Sequence, residues 1–224
     1  VHYSQADIFA VSDNKLSYLI KPLGVILPGS KFIYLVRDGR RVCSSYHSKL
    51  SKECYTDFWV DALDKHIHKP RIYPILPPCK PCFWPFPNPI MEPQTYYDFI
   101  HTWNRWQRLC WFWQDCNRVI LRDLEGVPDD QKHFIWLEDL ITNRSVLGQL
   151  LGFIGLPNSD SWKMEKAWTL CQTPQNVSEP VSYPLTGEQE AQYWEICGEM
   201  HERLGYGKSD YVVKYKGELH NDPN

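Results

Sequence analysis

Short compact apolar runs alternate along this chain with longer stretches in which apolar residues recur every three or four positions. Lys31 to Val36 (KFIYLV) is the tightest of the compact runs, set between the turn Leu27-Pro28-Gly29-Ser30 and the pair Asp38-Gly39. An unbroken β-rich run between turn signals reads as a strand, and its continuous apolar character suits the middle of a parallel sheet. Ile8 to Val11 and His133 to Leu137 (HFIWL) are further buried-strand candidates. Helical spacing is carried by Leu16 to Leu27, where Pro22 and Gly24 weaken it, and by Arg40 to Lys52. Thr95 to Asn117 is the clearest helix, with Tyr96, Phe99, Ile100, Trp103, Trp106, Leu109, Cys110 and Trp113 on one broad apolar stripe. Ser145 to Ile154 and Gly187 to Leu204 follow, the last closing in Leu204-Gly205-Tyr206-Gly207, a glycine stop. Strands alternating with helices predict an α/β fold: a parallel sheet with right-handed crossovers and flanking helices.

The pattern breaks between Lys69 and Pro93. Nine of the seventeen prolines fall there, among Tyr73, Phe83, Trp84 and Phe86, which excludes a helix or a central strand. The segment is too apolar for a disordered linker and reads as part of an ordered insertion, about residues 53–93, lying over one domain. That domain spans residues 1–207, a length able to bury a sizeable core, and residues 208–224 read as a tail. The first residue is Val1, and a strand-like run starts at once, so further sequence is expected upstream.

A net charge of −3 gives no ground for a polyanion-binding surface, and no nucleic-acid partner is expected; a local basic cluster stands at Arg37, Arg40 and Arg41. No apolar run approaches the roughly 20 residues of a membrane span. Ten Trp and thirteen Tyr fit an aromatic core, or else an aromatic-lined acceptor pocket. Eight Cys are scattered, with Cys79-x-x-Cys82 the one close pair. Zinc would need two more ligands, drawn from Cys110, Cys116, His66 or His68. Buried free thiols in a reducing compartment fit better, with a loop disulfide as the next possibility. No metal is expected, and the location expected is cytoplasmic, or the Golgi lumen if an upstream anchor exists.

Chemistry concentrates after KFIYLV. Ligands of open parallel sheets gather at the carboxyl ends of strands, and Arg37 is the first residue past this one. Asp38-Gly39 leads into a helix whose first amides and dipole favour an anion. Arg37 offers a planar fork for phosphate, and Ser44 and Ser45 offer hydroxyls. The other reading is an Arg–Asp pair capping a helix, with Ser facing solvent. Physics alone leaves both open.

The run KFIYLVRDGRRVCSSYHS resembles the 3′-phosphate-binding segment of sulfotransferases, where a strand ends in Arg and a Ser follows eight residues later, as Arg37 and Ser45 do here. Trp136 to Leu140 (WLEDL), then Val146 to Pro157 (VLGQLLGFIGLP), is similar to that family's "YEDL … LLxFLGLP". Leu185 to Gln189 through His201 to Tyr206 looks like the terminal helix of bacterial-type members, ending in "RLGY". The resemblance implies a P-loop-like three-layer sandwich and the co-substrate 3′-phosphoadenosine 5′-phosphosulfate, with Arg37 and Ser45 holding its 3′-phosphate. The acceptor would be a hydroxyl or amine on a carbohydrate, lipid or small molecule. The sequence departs from the family in three places. The "GSGTT"-like 5′-phosphosulfate loop is absent, the Tyr of the "YED" triplet is Leu137, and Gly205-Tyr206-Gly207-Lys208 replaces a "RKGxxGDWK" ending.

Sulfuryl transfer needs a base for the acceptor and a cation on the bridging oxygen. Ser12 to Tyr18 (SDNKLSY) resembles the family patterns "GDKTPSY" and "EKSxxY", implying Asp13 as base and Lys15 as cation, although Lys15 stands one position later than the pattern. Asp13 also fits as a simple helix cap. Two alternative functions share the fold: a P-loop nucleotide kinase, which requires GxxxxGK[ST] upstream and a metal-binding Asp, and a degenerate nucleotide-binding module.

Overall fold

The computed structural model describes residues 8–12, 14–49, 56–57, 101–156, 161–173 and 185–207. A 3-10 turn at Asn14–Tyr18 precedes α1 (Ile20–Ile26), β1 (Phe32–Val36) and α2 (Gly39–Lys49). Then come α3 (Arg105–Leu124), a 3-10 turn at Asp129–Gln131, β2 (Lys132–Trp136) and α4 (Leu137–Thr142). The elements α5 (Arg144–Phe153), α6 (Ser161–Gln172) and α7 (Gly187–Arg203) complete the order.

β1 and β2 pair in parallel, from Phe32 opposite Lys132 to Val36 opposite Trp136. Side chains alternate faces along each strand. Tyr34, Val36 and Trp136 enter a core shared with Cys43 of α2, Trp106, Cys110 and Trp113 of α3, and Tyr193, Cys197 and Met200 of α7. Ile135 points the other way, onto Leu140 and Leu147, with Met164, Ala167 and Trp168 of α6 behind them. The chain is therefore α/β and mostly helical, with helices on both faces of a small parallel sheet.

Several expectations change. Ile8 to Val11 forms no strand, and Ile8, Phe9 and Val11 are exposed. β1 has one partner among the described residues, and Ile33 (44%) and Leu35 (49%) are exposed, unlike side chains of a central strand. Leu16 to Leu27 divides at Leu19 into the 3-10 turn and α1. Pro22 sits third in α1, in the first turn, where its missing N–H has no partner to lose. α3 starts at Arg105 because Asn104 closes a capping box: its side chain accepts the Gln107 amide at 2.9 Å, and the Gln107 side chain accepts the Asn104 amide at 2.9 Å. Residues 95–100, most of the insertion including Lys69 to Pro93, and the 208–224 tail lie outside the described residues.

Glycine sets two helix ends. Gly205 at φ 85° closes α7, with its amide bonded to the Glu202 carbonyl (2.9 Å) and the Tyr206 amide to the His201 carbonyl (3.1 Å). This paired geometry is a Schellman turn, and it aims Tyr206 back into the core. Gly155 at φ 83° ends α5 the same way, with Leu156 bonded to Leu151.

Candidate functional site: the carboxyl edge of the parallel strands

Two residues beyond each strand stands a buried carboxylate, Asp38 after β1 and Glu138 after β2. The matched register puts them side by side, and Glu138 Oε1 accepts the backbone N–H of Asp38 at 3.0 Å. Glu138 Oε2 accepts the Tyr206 hydroxyl at 2.8 Å, so the Schellman turn of α7 is fastened to the end of β2. Burial, with the Glu138 charge and this hydrogen bond behind it, pushes the Tyr206 phenol well above its ordinary range.

The Asp38 side chain works inside the fold. Its Oδ1 accepts the Arg40 amide at 2.9 Å, capping α2, and its carboxylate takes Arg40 Nε (3.1 Å) and a terminal guanidinium nitrogen (2.7 Å). Both side chains are only 2% exposed, and the Arg40 guanidinium lies 5.6 Å from the Trp194 ring centroid. The expected open helix N-terminus is thus filled by the protein's own carboxylate. Crowding has the same effect. A Cβ on Gly39 would stand 2.7 Å from Trp113 Cε2 and against the Tyr193 hydroxyl, so these rings cover the first turn.

The basic cluster accordingly divides. Arg40 is sealed against Asp38, and Ser44 is buried as well. Arg37 remains half-buried at the strand end, with no described residue hydrogen-bonded or ion-paired to its guanidinium. Ser45 is half-buried on α2, four residues after Arg41, and the two share a helix face. Asp13 lies outside the described residues, and Lys15 belongs to the 3-10 turn at Asn14–Tyr18.

Behind the turn, His201 is fully buried among aromatic rings. A carbonyl can only accept, so the 3.3 Å contact to Gly207 makes Nε2 the protonated nitrogen of the neutral ring. Nδ1 then accepts the Tyr193 hydroxyl at 2.8 Å. Burial lowers the His201 pKa, against the pull of Asp38 and the Gly207 carbonyl. The thiols of Cys43, Cys110 and Cys197 adjoin one another in the seam of α2, α3 and α7, and burial raises each of them. None of the three is in a disulfide, nor are Cys116 and Cys171.

Cys79, Cys82, His66 and His68 lie outside the described residues. Among the described residues, no group of three His, Cys, Asp or Glu side chains could hold a metal ion. No described helix is long and apolar enough to cross a membrane. Sequence reasoning placed Arg37 at the strand end but missed the Asp38–Glu138–Tyr206 connection. Its one legible trace is an acidic residue two positions after each strand. Compared with known proteins, the chain matches no family model, no curated protein and no solved structure.

Proposed function

We propose that this chain is a sulfotransferase-type protein. In this reading it moves a sulfuryl group from 3′-phosphoadenosine 5′-phosphosulfate to a hydroxyl or amine acceptor. The observation that carries the reading is the state of Arg37. It is the first residue past a parallel strand, half-buried and unpaired among the described residues, while Arg40 and Asp38 beside it satisfy each other. A half-buried guanidinium without a partner is costly, and a phosphate offers two oxygens to its fork. With the amides of Arg40, Arg41 and Val42 bonded to Asp38, the phosphate would rest mainly on side chains, Arg37 from the strand end and Ser45 from the helix.

The sheet with helices on both faces supports placement within a P-loop-like three-layer sandwich. In the transfer the acceptor oxygen or nitrogen attacks sulfur, the bond from sulfur to the bridging phosphate oxygen breaks, and 3′-phosphoadenosine 5′-phosphate leaves. Asp13 would take the acceptor proton and Lys15 would neutralise the charge growing on the leaving oxygen. The acceptor belongs to the carbohydrate, lipid or small-alcohol class.

Calorimetric titration with 3′-phosphoadenosine 5′-phosphate tests the reading, with adenosine 5′-phosphate as control. Arg37→Ala is expected to weaken the first nucleotide by about 10- to 100-fold, the loss of one charge-assisted fork of roughly 1.5–3 kcal/mol, and to leave the control unchanged. Equal binding by wild type and Arg37→Ala rules the phosphate site out.

A further inference from the structure

Arg37 can serve a phosphate only if its backbone is held in one place, and Arg37 itself makes no side-chain anchor. What holds it comes from either side in sequence. Val36 is fixed in the ladder opposite Trp136, and Asp38 is fixed at its amide by Glu138 and at its carboxylate by Arg40. The Arg40 contact is local, two residues away along the same chain. The Glu138 contact crosses to the first turn of α4, just past the second strand and one hundred residues on in sequence, and is the tie that sets the turn after β1 against the end of β2.

We propose that Glu138 is a positioning residue for Arg37, and that Tyr206 locks it. This rests on the phosphate-site reading above. Glu138 is 5% exposed, and its two oxygens are committed in opposite directions, Oε1 to the Asp38 amide and Oε2 to the Tyr206 hydroxyl. A carboxylate with one partner could swing about its last torsion; with both it cannot. Tyr206 is in turn fixed by backbone geometry. Gly205 at φ 85° sends the chain back over Trp136, and the Trp136 indole N–H donates to the Leu204 carbonyl at 2.8 Å. The line from the α7 terminus to the phosphate site therefore runs Gly205, Tyr206, Glu138, Asp38, Arg37. Each step is either a peptide bond between sequence neighbours or a hydrogen bond between buried side-chain and backbone groups.

The same line explains why a buried carboxylate stands here at all. Any oxygen at this spot would satisfy the Asp38 amide. A carboxylate presents two separate oxygens, so one can take a backbone amide from one side and the other a phenol from the opposite side. Glutamine keeps the first contact through its amide oxygen and can donate to the phenol oxygen through its amide nitrogen. Alanine keeps neither.

The experiment uses the full chain and two readouts, hydrogen exchange of the Asp38 amide by NMR and calorimetric affinity for 3′-phosphoadenosine 5′-phosphate against adenosine 5′-phosphate. Glu138→Ala is expected to speed Asp38 exchange and to weaken the 3′-phosphorylated nucleotide by about tenfold, as loss of positioning without loss of a contact does, sparing the control. Glu138→Gln restores both values, which a purely structural role tied to charge would not allow. Tyr206→Phe removes a single oxygen; it is expected to fold and to shift both readouts in the direction of Glu138→Ala by a smaller amount. Unchanged Asp38 exchange in Glu138→Ala or Tyr206→Phe overturns the tie, whether or not nucleotide binds. Faster exchange with undiminished 3′-phosphate affinity overturns the positioning role. If the wild type itself binds no 3′-phosphorylated nucleotide, the phosphate site fails and the positioning role falls with it, while exchange still decides whether the tie exists.

Discussion

The Arg40 guanidinium and the Asp38 carboxylate face each other two residues apart, with a nitrogen–oxygen distance of 2.7 Å and both side chains all but shut off from solvent. Removing one member of a buried ion pair typically costs about 3–5 kcal/mol. Asp38→Ala also removes the cap on α2 and should fall in that range by urea denaturation. Asp38→Asn, which keeps an acceptor for the Arg40 amide, should cost less. A loss below about 1 kcal/mol for Asp38→Ala would mean water reaches this pair.

Gly39 tolerates no side chain. Its φ is ordinary, so backbone strain is not the reason; the Trp113 ring and the Tyr193 hydroxyl already fill the space. Gly39→Ala should destabilise by about 1–3 kcal/mol through overpacking. Trimming the obstacle with Tyr193→Phe in the same chain should recover part of that loss. Two losses that simply add would show that the contact is not the cause.

Acid should loosen the region behind the site. The buried imidazole of His201 has a folded pKa below its ordinary value, chiefly from burial. The unfolded chain therefore binds this proton more readily than the folded one. The stability His201 confers is complete above the unfolded value near 6.5 and is lost as pH falls below it toward the folded value. Asp38 and Glu202 oppose the shift, and Arg40 adds to it. Denaturation midpoints measured between pH 7.5 and 5 should fall for wild type and fall less for His201→Gln. Parallel slopes would assign the acid sensitivity to another group.

Much of the fold was legible because its signals are local. KFIYLV has turn residues on both sides, and the strand came out one residue shorter than read. Gly205 gave away the end of α7 because a residue at positive φ is nearly always glycine. α3 misled for a physical reason: apolar spacing runs on through Trp103, whereas the boundary is set by two polar side chains, Asn104 and Gln107. α4 and α6 were missed, the first because six residues are too few to show a period, the second because its stripe is weak. At the site, Arg37 could be placed from its strand. Which arginine pairs with Asp38 could not be, since Arg37 and Arg40 both lie within reach in sequence. The Glu138 tie depends on a register between segments one hundred residues apart, which no local pattern encodes.

Helix caps offer an independent check on those boundaries. Asn104→Ala and Thr186→Ala each remove the side-chain half of a capping box and should each cost about 1 kcal/mol. Asn104 also reaches Gln192 of α7 at 3.4 Å, so its loss should be the larger of the two. Equal urea midpoints for wild type and Asn104→Ala would place the start of α3 elsewhere.

The adjoining thiols of Cys43, Cys110 and Cys197 give the molecule a clock of its own. Each comes from a different helix, none is exposed, and burial keeps all three protonated in the closed seam. An alkylating reagent must wait until α2, α3 and α7 part, so the pace at which mass is added counts openings of the core rather than thiol reactivity. Cys171, half-buried on α6, should be labelled earlier and mark time zero.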